Sequence, residues 1–480
     1  MKKTNIAKLT KLLAIATCTI VFVLIGIYAF SRLVTPKGSI EEYYDEPKNT
    51  IDALFIGSSH CAFSASPIDI YEESGIKTYN ISTGCQPSWV SYYYLKEALK
   101  YQKPKVIFLE VFGAFYDKSY ATYSDIDLVS SRDSQKMKPS FDLLKMNIAR
   151  YFSQKTPLAW DEIFNFTKYH SRLTELEKED FTSIFKSDYS DNKGFGPMLT
   201  RESFPQYVAP VTDRREPLYD ECDYYLRKTI ALAKKRGIDI VLFKTPLIAK
   251  ETDIAVLNTI KDIAKETEVP FIDFCSENLL NIDYTNDLGD EGHLNYFGAE
   301  KLSRFMAEYL LLNYPQLSNN NAKDELWDTA VKNQSEDFIR VKFRMAATLD
   351  ELLRQSKEYG NIDIIVAKQG ILNNDDIEML KSKNLCIEGD LLNTIKTSDM
   401  FVINKNEIFT GTQAVKRLKD NGINVGNLQD KTVSITIEGE DKNYSRMRDG
   451  LNIAVYDSNE NKIFHNFSMA REHQYDFYTS

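Results

Sequence analysis

The chain has 480 residues, a length that favours two or three domains over one. Hydrophobic residues make up 43% of it, which is ample for a core, and its formal net charge of -10 without a basic patch excludes a nucleic-acid-binding class. Its 6 cysteines do not form a disulfide framework; Cys61 and Cys85 flank two neighbouring motifs, and either a disulfide between them or two buried thiols stays open.

The N-terminal segment predicts a membrane anchor. Residues 12–31 carry no charged side chain, which is long enough for one helix across a lipid bilayer. Lysines precede this run, so the N-terminus is expected to stay cytoplasmic and the bulk of the chain to be extracellular, on the cell membrane. A cleaved signal peptide is the alternative, and Ala29-Phe30-Ser31 is a poor cleavage site for one. Residues 1–34 are therefore expected to form a cytoplasmic tip and a single-pass anchor.

Strand and helix patterns then alternate, which predicts a parallel five-stranded sheet with helices on both faces, an α/β fold in three layers, α/β/α. The apolar strand-like runs lie at 51–56, 77–81, 105–111, 238–243 and 269–274. The helical patterns lie at 88–102, 219–236, 251–267 and 296–312. This main domain is expected over residues 35–317.

A polar stretch, residues 113–218, interrupts the alternation between the third and fourth strands. It is rich in Tyr, Phe, Lys and Asp and shows no strand pattern, so a helical insertion is expected. Its position at the edge where the site should open favours a role in shaping the pocket, and a solvated decoration is the alternative.

The C-terminal part has a different pattern. Residues 318–332 include an Asn-rich polar run and are expected to form a linker. Residues 333–480 then predict a small α+β domain, without a catalytic constellation. Its strand-like runs lie at 362–367, 400–404, 432–438 and 451–457, and its helical patterns at 373–384 and 411–421.

Two motifs carry the chemistry. Gly57-Ser58-Ser59-His60 follows the first strand, and Asp290-Glu291-Gly292-His293 precedes the last helix of the main domain. A serine is a poor nucleophile unless a base takes its proton, and the base needs a third group to fix its tautomer. The sequence therefore predicts Ser59 as nucleophile, His293 as base and Asp290 as the orienting carboxylate. Ser58 competes with Ser59, and Asp287 with Asp290.

Together the two motifs resemble the SGNH (GDSL-like) hydrolase superfamily over about residues 45–315. The matching residues are Gly57 and Ser59 in the first block and Asp290 and His293 in the last. The first motif, with the run His293 to Ala299, is most similar to a membrane-anchored bacterial branch related to alginate O-acetyltransferases and to teichoic acid D-alanylation proteins.

The resemblance implies a serine esterase or O-acyltransferase acting on acyl esters of a cell-surface glycan. It implies no cofactor, and no metal-ligand spacing occurs in the sequence. It also implies a multi-spanning membrane acyltransferase as a partner. A catalytically inactive scaffold that organises a glycan-modification complex is the alternative.

The sequence departs from the family in the block that usually supplies an oxyanion-binding Asn, because none follows the strand 106–112. The oxyanion hole is therefore expected from the backbone N–H groups of Ser59 and Gly84. Four further residues are expected at or near the pocket: Ser58, His60, Gln86 and Glu110.

The C-terminal domain has a resemblance of its own. The run 432–439, followed by 450–457, is similar to the interleukin-like EMT inducer fold. That fold also occurs in bacterial glycan-related proteins, so the resemblance implies a glycan-binding module. A structural or oligomerisation module is the alternative.

Overall fold

A computed structural model describes residues 10–23, 42–116, 192–318, 324–405, 407–427, 432–446 and 448–470, with residues 26, 30, 174, 176, 477 and 478. It separates into two compact units, Met1–Gln334 and Ser335–Ser480. Residues 10–23 are helical, and the expected anchor over 12–31 falls partly outside the described residues. In the described part of the chain, no helix combines the length and the apolar character needed to cross a membrane.

The first unit contains a five-stranded parallel sheet in the order β2-β1-β3-β4-β5. Its strands are β1 Ala53–Ile56, β2 Thr78–Asn80, β3 Val106–Glu110, β4 Asp239–Lys244 and β5 Phe271–Asp273. All five predicted strands are confirmed. The order reverses direction at β1, whose neighbours are β2 on one side and β3 on the other.

The sheet has a hydrophobic core on each face, which confirms three layers. Leu54 and Ile56 lie in one core cluster, whereas Ala53 and Phe55 lie in the other, because successive strand residues point to opposite faces. The helices of this unit are Ser59–Ala62, Pro67–Ser74, Ser88–Ala98, Asp220–Lys235, Glu251–Glu266 and Tyr296–Asn313. Helices Ser88–Ala98, Asp220–Lys235 and Glu251–Glu266 contribute to the first core and Tyr296–Asn313 to the second, whereas Pro67–Ser74 contributes Ile68 to the first and Ile70 to the second.

The expected helical insertion is only partly described, because residues 117–173 and 177–191 lie outside the described residues. Its described end, residues 192–218, contains no helix, so that prediction is wrong there. Four prolines explain the difference, since proline in a helix interior removes a hydrogen bond and clashes with the preceding turn. They are Pro197, Pro205, Pro210 and Pro217.

The expected linker over 318–332 is also wrong from residue 325 onward, where the helix Glu325–Arg344 begins. Asp324 caps this helix by accepting from the backbone N–H groups of Leu326 and Trp327, at 3.2 and 3.4 Å. Trp327 is 3% exposed and lies 4.9 Å from the Tyr71 ring. Burial of this tryptophan orders a segment that looks like a linker in sequence.

The second unit is α+β, as predicted. A six-stranded antiparallel sheet has the order β13-β12-β11-β6-β7-β8, and a separate β9–β10 pair is also antiparallel. The strands are β6 Ile362–Gln369, β7 Met400–Asn404, β8 Glu407–Thr410, β9 Ile423–Asn427, β10 Val433–Ile437, β11 Gly450–Asp457, β12 Lys462–Ala470 and β13 Phe477–Tyr478. The helices are Leu349–Ser356, Asn374–Ser382, Gly389–Thr397 and Gly411–Asp420.

The cysteines do not pair. All six are free, and the Cys61 thiol is buried with its sulfur 3.7 Å from Asn80 Oδ1. Of the two possibilities for Cys61 and Cys85, the structure shows the pair of free thiols.

Candidate active site

Both motifs meet at the carboxyl edge of the parallel sheet. In this strand order the chain leaves β1 and β3 toward opposite sides, which opens a crevice between them. Ser59 comes directly after β1, Glu110 ends β3, and Lys244 ends the adjacent β4. The fold therefore brings chemistry-bearing residues from three strands to one place.

The nucleophile turn is fixed by its neighbours. Ser58 caps the helix Ser59–Ala62, because its Oγ accepts from the His60 backbone N–H at 3.3 Å. A Cβ on Gly57 would lie 2.5 Å from Glu110 Cβ, so only glycine fits where β1 passes β3. Asn80 then donates to the carbonyls of Cys61 and Ala65, at 2.9 and 3.0 Å, and holds the chain that follows Ser59.

Ser59, His293 and Asp290 form a connected chain. Ser59 Oγ lies 2.8 Å from His293 Nε2, and His293 Nδ1 lies 2.9 Å from both carboxylate oxygens of Asp290. Because a carboxylate only accepts, the proton of neutral His293 sits on Nδ1, and Nε2 is free to accept from the serine hydroxyl. The predicted trio is therefore together in the geometry that proton transfer from a serine requires.

Neither rival residue makes this contact. Ser58 is buried and donates to Glu110 Oε2 at 3.1 Å. Asp287 Oδ2 accepts from Lys301 Nζ at 2.6 Å and from the Asp283 backbone N–H at 2.7 Å. Both side chains hold the loops that carry the site.

The loop carrying Asp290 and His293 is anchored to the last helix of the unit. Asn295 caps that helix by accepting from the Phe297 and Gly298 N–H groups, at 3.0 and 3.3 Å. Its amide nitrogen donates to the carbonyls of Asn286 and Leu288 on the other side of the loop. A Cβ on Gly298 would meet the Asp287 carbonyl oxygen at 2.4 Å, so a glycine is needed for the loop to lie against the helix.

A stretch that we call the returning segment, residues 194–207, bridges the two catalytic loops. Its Gly196 N–H donates to the Ala62 carbonyl on the nucleophile helix at 3.0 Å. Its Met198 carbonyl accepts from the Tyr296 N–H at 3.0 Å, and its Glu202 N–H donates to Leu288 at 3.0 Å. The end of the predicted insertion thus positions the serine and histidine relative to each other.

A buried ion pair lies next to the trio. Glu110 Oε1 is 3.3 Å from Lys244 Nζ, and both side chains are 0% exposed. Glu110 is therefore a buried partner of Lys244. It also lines a small cavity with Ser88 and Ser91, and it accepts from the Phe112 N–H at 3.1 Å, where the short helix Phe112–Ala114 begins. Lys244 was not predicted at all, although a lysine at the end of an apolar strand is a signal that could have drawn attention to it.

His60 is also buried, between the ion pair and the trio. Its Nδ1 lies 3.3 Å from Lys244 Nζ and 3.4 Å from Thr245 Oγ1. Burial, the Lys244 charge and His293 together hold the pKa of His60 well below its usual range. His60 is thus a neutral packing residue, and His293 is the histidine that contacts Ser59.

The expected oxyanion donors remain a prediction. The Ser59 N–H is at the first position of a helix, where no intrahelical acceptor exists. Gly84 follows a loop tied to the nucleophile turn by the Thr83 N–H, which donates to the Gly57 carbonyl at 3.3 Å. Gln86 is fully buried and its amide contacts Thr83 and Ser91, at 2.8 and 2.9 Å, so it holds the loop.

No group of three or more potential metal ligands converges in the described ranges. No protein-family model and no curated protein matches the chain. Among solved structures, a GDSL-like lipase of Bacteroides thetaiotaomicron is 10% identical, covering 54% of this chain and 87% of its own, with a TM-score of 0.26. A catalytic mutant of an acetylxylan esterase from Geobacillus stearothermophilus is 13% identical, covering 54% and 94%, with a TM-score of 0.27.

Proposed function

We propose that this protein is a serine enzyme that cleaves or transfers acyl groups held in ester linkage. The observation that carries the proposal is the chain Ser59–His293–Asp290, with 2.8 Å between serine oxygen and imidazole and 2.9 Å between imidazole and carboxylate. A hydrogen-bonded arrangement of this kind activates a hydroxyl for attack on a carbonyl.

In the proposed reaction, Ser59 Oγ attacks the ester carbonyl while His293 Nε2 takes the hydroxyl proton. Asp290 accepts from Nδ1 and stabilises the imidazolium that forms. The tetrahedral oxyanion is bound by the backbone N–H groups of Ser59 and Gly84. When the intermediate collapses, His293 returns the proton to the leaving alcohol and the acyl group stays on Ser59. A second oxygen nucleophile, activated by His293, then releases the acyl group.

The motif resemblance to SGNH hydrolases extends the proposal to the substrate. We propose ester-linked acyl groups, acetyl among them, on a cell-surface polysaccharide. The second nucleophile is then a sugar hydroxyl in a transferase or water in an esterase. The resemblance to the O-acetyltransferase branch favours transfer, with a multi-spanning membrane acyltransferase as the donor's source.

The second candidate function is a catalytically inactive scaffold in a glycan-modification complex. It is favoured by the lack of an Asn after β3, where Val111 and the short helix Phe112–Ala114 follow instead. Loss of one oxyanion donor typically lowers the rate by about 10²–10³-fold.

Active-site labelling separates the two candidates. The full-length chain is treated with a fluorophosphonate, and the adduct is located by mass spectrometry. An enzyme forms the adduct on Ser59 and hydrolyses p-nitrophenyl acetate, and Ser59→Ala loses both. Ser64→Ala, which truncates a buried serine that follows the nucleophile helix, is the matched control and should retain both. A chain that is neither labelled nor active would favour the scaffold.

The proposed location is the outer face of the cell membrane, with residues 12–31 as a single-pass anchor. It is supported by the uncharged run and by the lysines before it. Protease added to intact cells should remove the large domain and leave a short anchored stub. Recovery of the full-length chain from the cytosol would contradict this location.

A further inference from the structure

The imidazole that contacts Ser59 has aromatic neighbours: Phe112 packs against His60, and His60 packs against His293. The centroids of Phe112 and His60 are 3.8 Å apart, with 37° between the ring planes. The centroids of His60 and His293 are 4.6 Å apart, with 32° between the planes. One face of the His293 ring therefore rests on His60, which is itself backed by Phe112.

The contacts of His60 fix its protonation state by geometry. The Lys244 ammonium can only donate hydrogen bonds, and its Nζ lies 3.3 Å from His60 Nδ1. His60 Nδ1 is therefore the acceptor and carries no proton. A singly protonated ring then has its proton on Nε2. Lys244 also contacts the backbone and hydroxyl oxygens of Thr245, each at 3.1 Å, and pairs with Glu110. The ammonium is thus held in place by groups other than His60.

Among the residues that the structure describes, four charged or titratable side chains surround His60, and they come from two strands and from the loop that carries the catalytic histidine. Lys244 approaches from the end of β4 with Glu110 of β3 behind it, and His293 lies on the ring face. Gly292 lies between His60 and Asp290, because a Cβ added to this glycine would be 3.5 Å from both His60 Cε1 and Asp290 Oδ1. The low pKa of His60, set first by burial and then by Lys244, agrees with an unprotonated ring.

We propose that His60 is a positioning residue for His293. As the acceptor of Lys244, it presents a fixed and uncharged ring surface on which the His293 imidazole lies while it takes the Ser59 proton. This inference rests on the proposed function and adds to it a role for the buried Glu110–Lys244 pair, which takes no part in the bond-breaking steps.

An uncharged support suits the chemistry. His293 becomes a cation when it accepts the serine proton, and a second cation with its centroid 4.6 Å away would oppose that step. A neutral ring shields the imidazole from water and limits its rotation. Misplacement of a catalytic group by 1 Å lowers the rate by about 10²-fold, so support of the ring has a measurable effect on turnover.

The test compares two replacements of His60 in the full-length chain in detergent micelles. Hydrolysis of p-nitrophenyl acetate is followed from about pH 5 to 9. His60→Ala removes the ring, and it should lower kcat by about 10–100-fold with little change in KM. Water reaching the exposed face of His293 favours the imidazolium, so the acid limb of the pH profile should move to higher pH. His60→Phe restores a neutral ring and should recover most of kcat and the original acid limb.

Cys61→Ala is the matched control, because it truncates a buried side chain of the same short helix whose sulfur lies 3.7 Å from Asn80 Oδ1. The inference is overturned if His60→Ala is as active as the wild type, if His60→Phe is as impaired as His60→Ala, or if Cys61→Ala loses as much activity. The proposed function fails separately, and the inference with it, if the wild type shows no turnover above Ser59→Ala.

Discussion

The buried Glu110–Lys244 pair predicts a large, non-additive effect on stability. Glu110 accepts from Ser58 Oγ at 3.1 Å and from the Phe112 N–H at 3.1 Å, and Lys244 has Thr245 and His60 as partners. Both side chains are inaccessible to solvent, so removal of one partner leaves a charge that water cannot reach. Loss of one member of such a pair costs about 3–5 kcal/mol, whereas removal of both charges costs much less.

The perturbation is therefore a double-mutant cycle. Glu110→Gln and Lys244→Met should each lower the free energy of unfolding of the first unit by about 3–5 kcal/mol. The double variant should lie within about 1 kcal/mol of the wild type, because the amide that Glu110→Gln introduces can still bond Ser58 and the Phe112 N–H. The coupling energy then amounts to several kcal/mol, far above the additivity error of distant sites.

Tryptophan fluorescence during urea unfolding suits this measurement. All 3 tryptophans, Trp89, Trp160 and Trp327, belong to the first unit, so the signal reports that unit. Arg215 and Asp262 form a matched exposed pair at 2.9 Å, with side chains 51% and 56% exposed, and their cycle should give a coupling energy close to zero because water screens the two charges. Single replacements at Glu110 and Lys244 that cost no more than the exposed pair, or that simply add, would refute the reasoning.

Three further predictions follow from other contacts. Burial raises the pKa of Asp69 to about 7, so the folded state favours the neutral carboxyl and the free energy of unfolding should fall as the pH rises from about 4 toward 7. In urea unfolding, Asp69→Asn should therefore gain more stability over the wild type at about pH 8 than at about pH 4.5. An equal gain at both pH values would contradict this. Gly298→Ala should lower the free energy of unfolding by about 1–3 kcal/mol and reduce esterase activity, because the added Cβ would lie 2.4 Å from the Asp287 carbonyl oxygen. Gly389→Ala is the control and should change neither quantity, because its Cβ would have no neighbour within 4 Å. Equal effects of the two variants would refute the steric cause. If the second unit binds glycan, it tethers the polymer and raises its effective concentration for the enzyme. A chain ending after Arg344, which keeps buried Trp327, should then retain activity on small esters and lose activity on dilute polymer. Equal loss on both substrates would indicate a structural role, and no loss on either would contradict tethering.

The parts of the fold that the sequence predicts well are those decided by local patterns. The five apolar runs become the five strands, shorter at their ends by one to two residues in most cases, because short apolar runs bounded by polar residues favour buried strands. Ser59, Asp290 and His293 are predictable because each belongs to a compact motif at a strand or helix end. Their meeting point follows from the parallel sheet, which places such ends at one edge.

The parts that the sequence does not predict depend on contacts between distant segments. The helix Glu325–Arg344 starts in an Asn-rich neighbourhood, and burial of Trp327 decides its order. Lys244 looks like the polar end of a strand, and its partner Glu110 is on another strand. The returning segment has no periodicity because its backbone bonds loops far away in sequence. No local signal distinguishes the helix or the returning segment, and the only local signal for Lys244 is a charged residue at the end of an apolar strand.

The returning segment also bears on how this protein can diverge. Near the start of the polar stretch 113–218, Tyr116 is 5% exposed and its carbonyl lies 3.6 Å from Cys222 Sγ. Later in the same stretch, the returning segment is held to both catalytic loops from Gly196 onward. Sequence changes within residues 194–207 would shift the serine loop and the histidine loop together, which limits how far this segment can diverge.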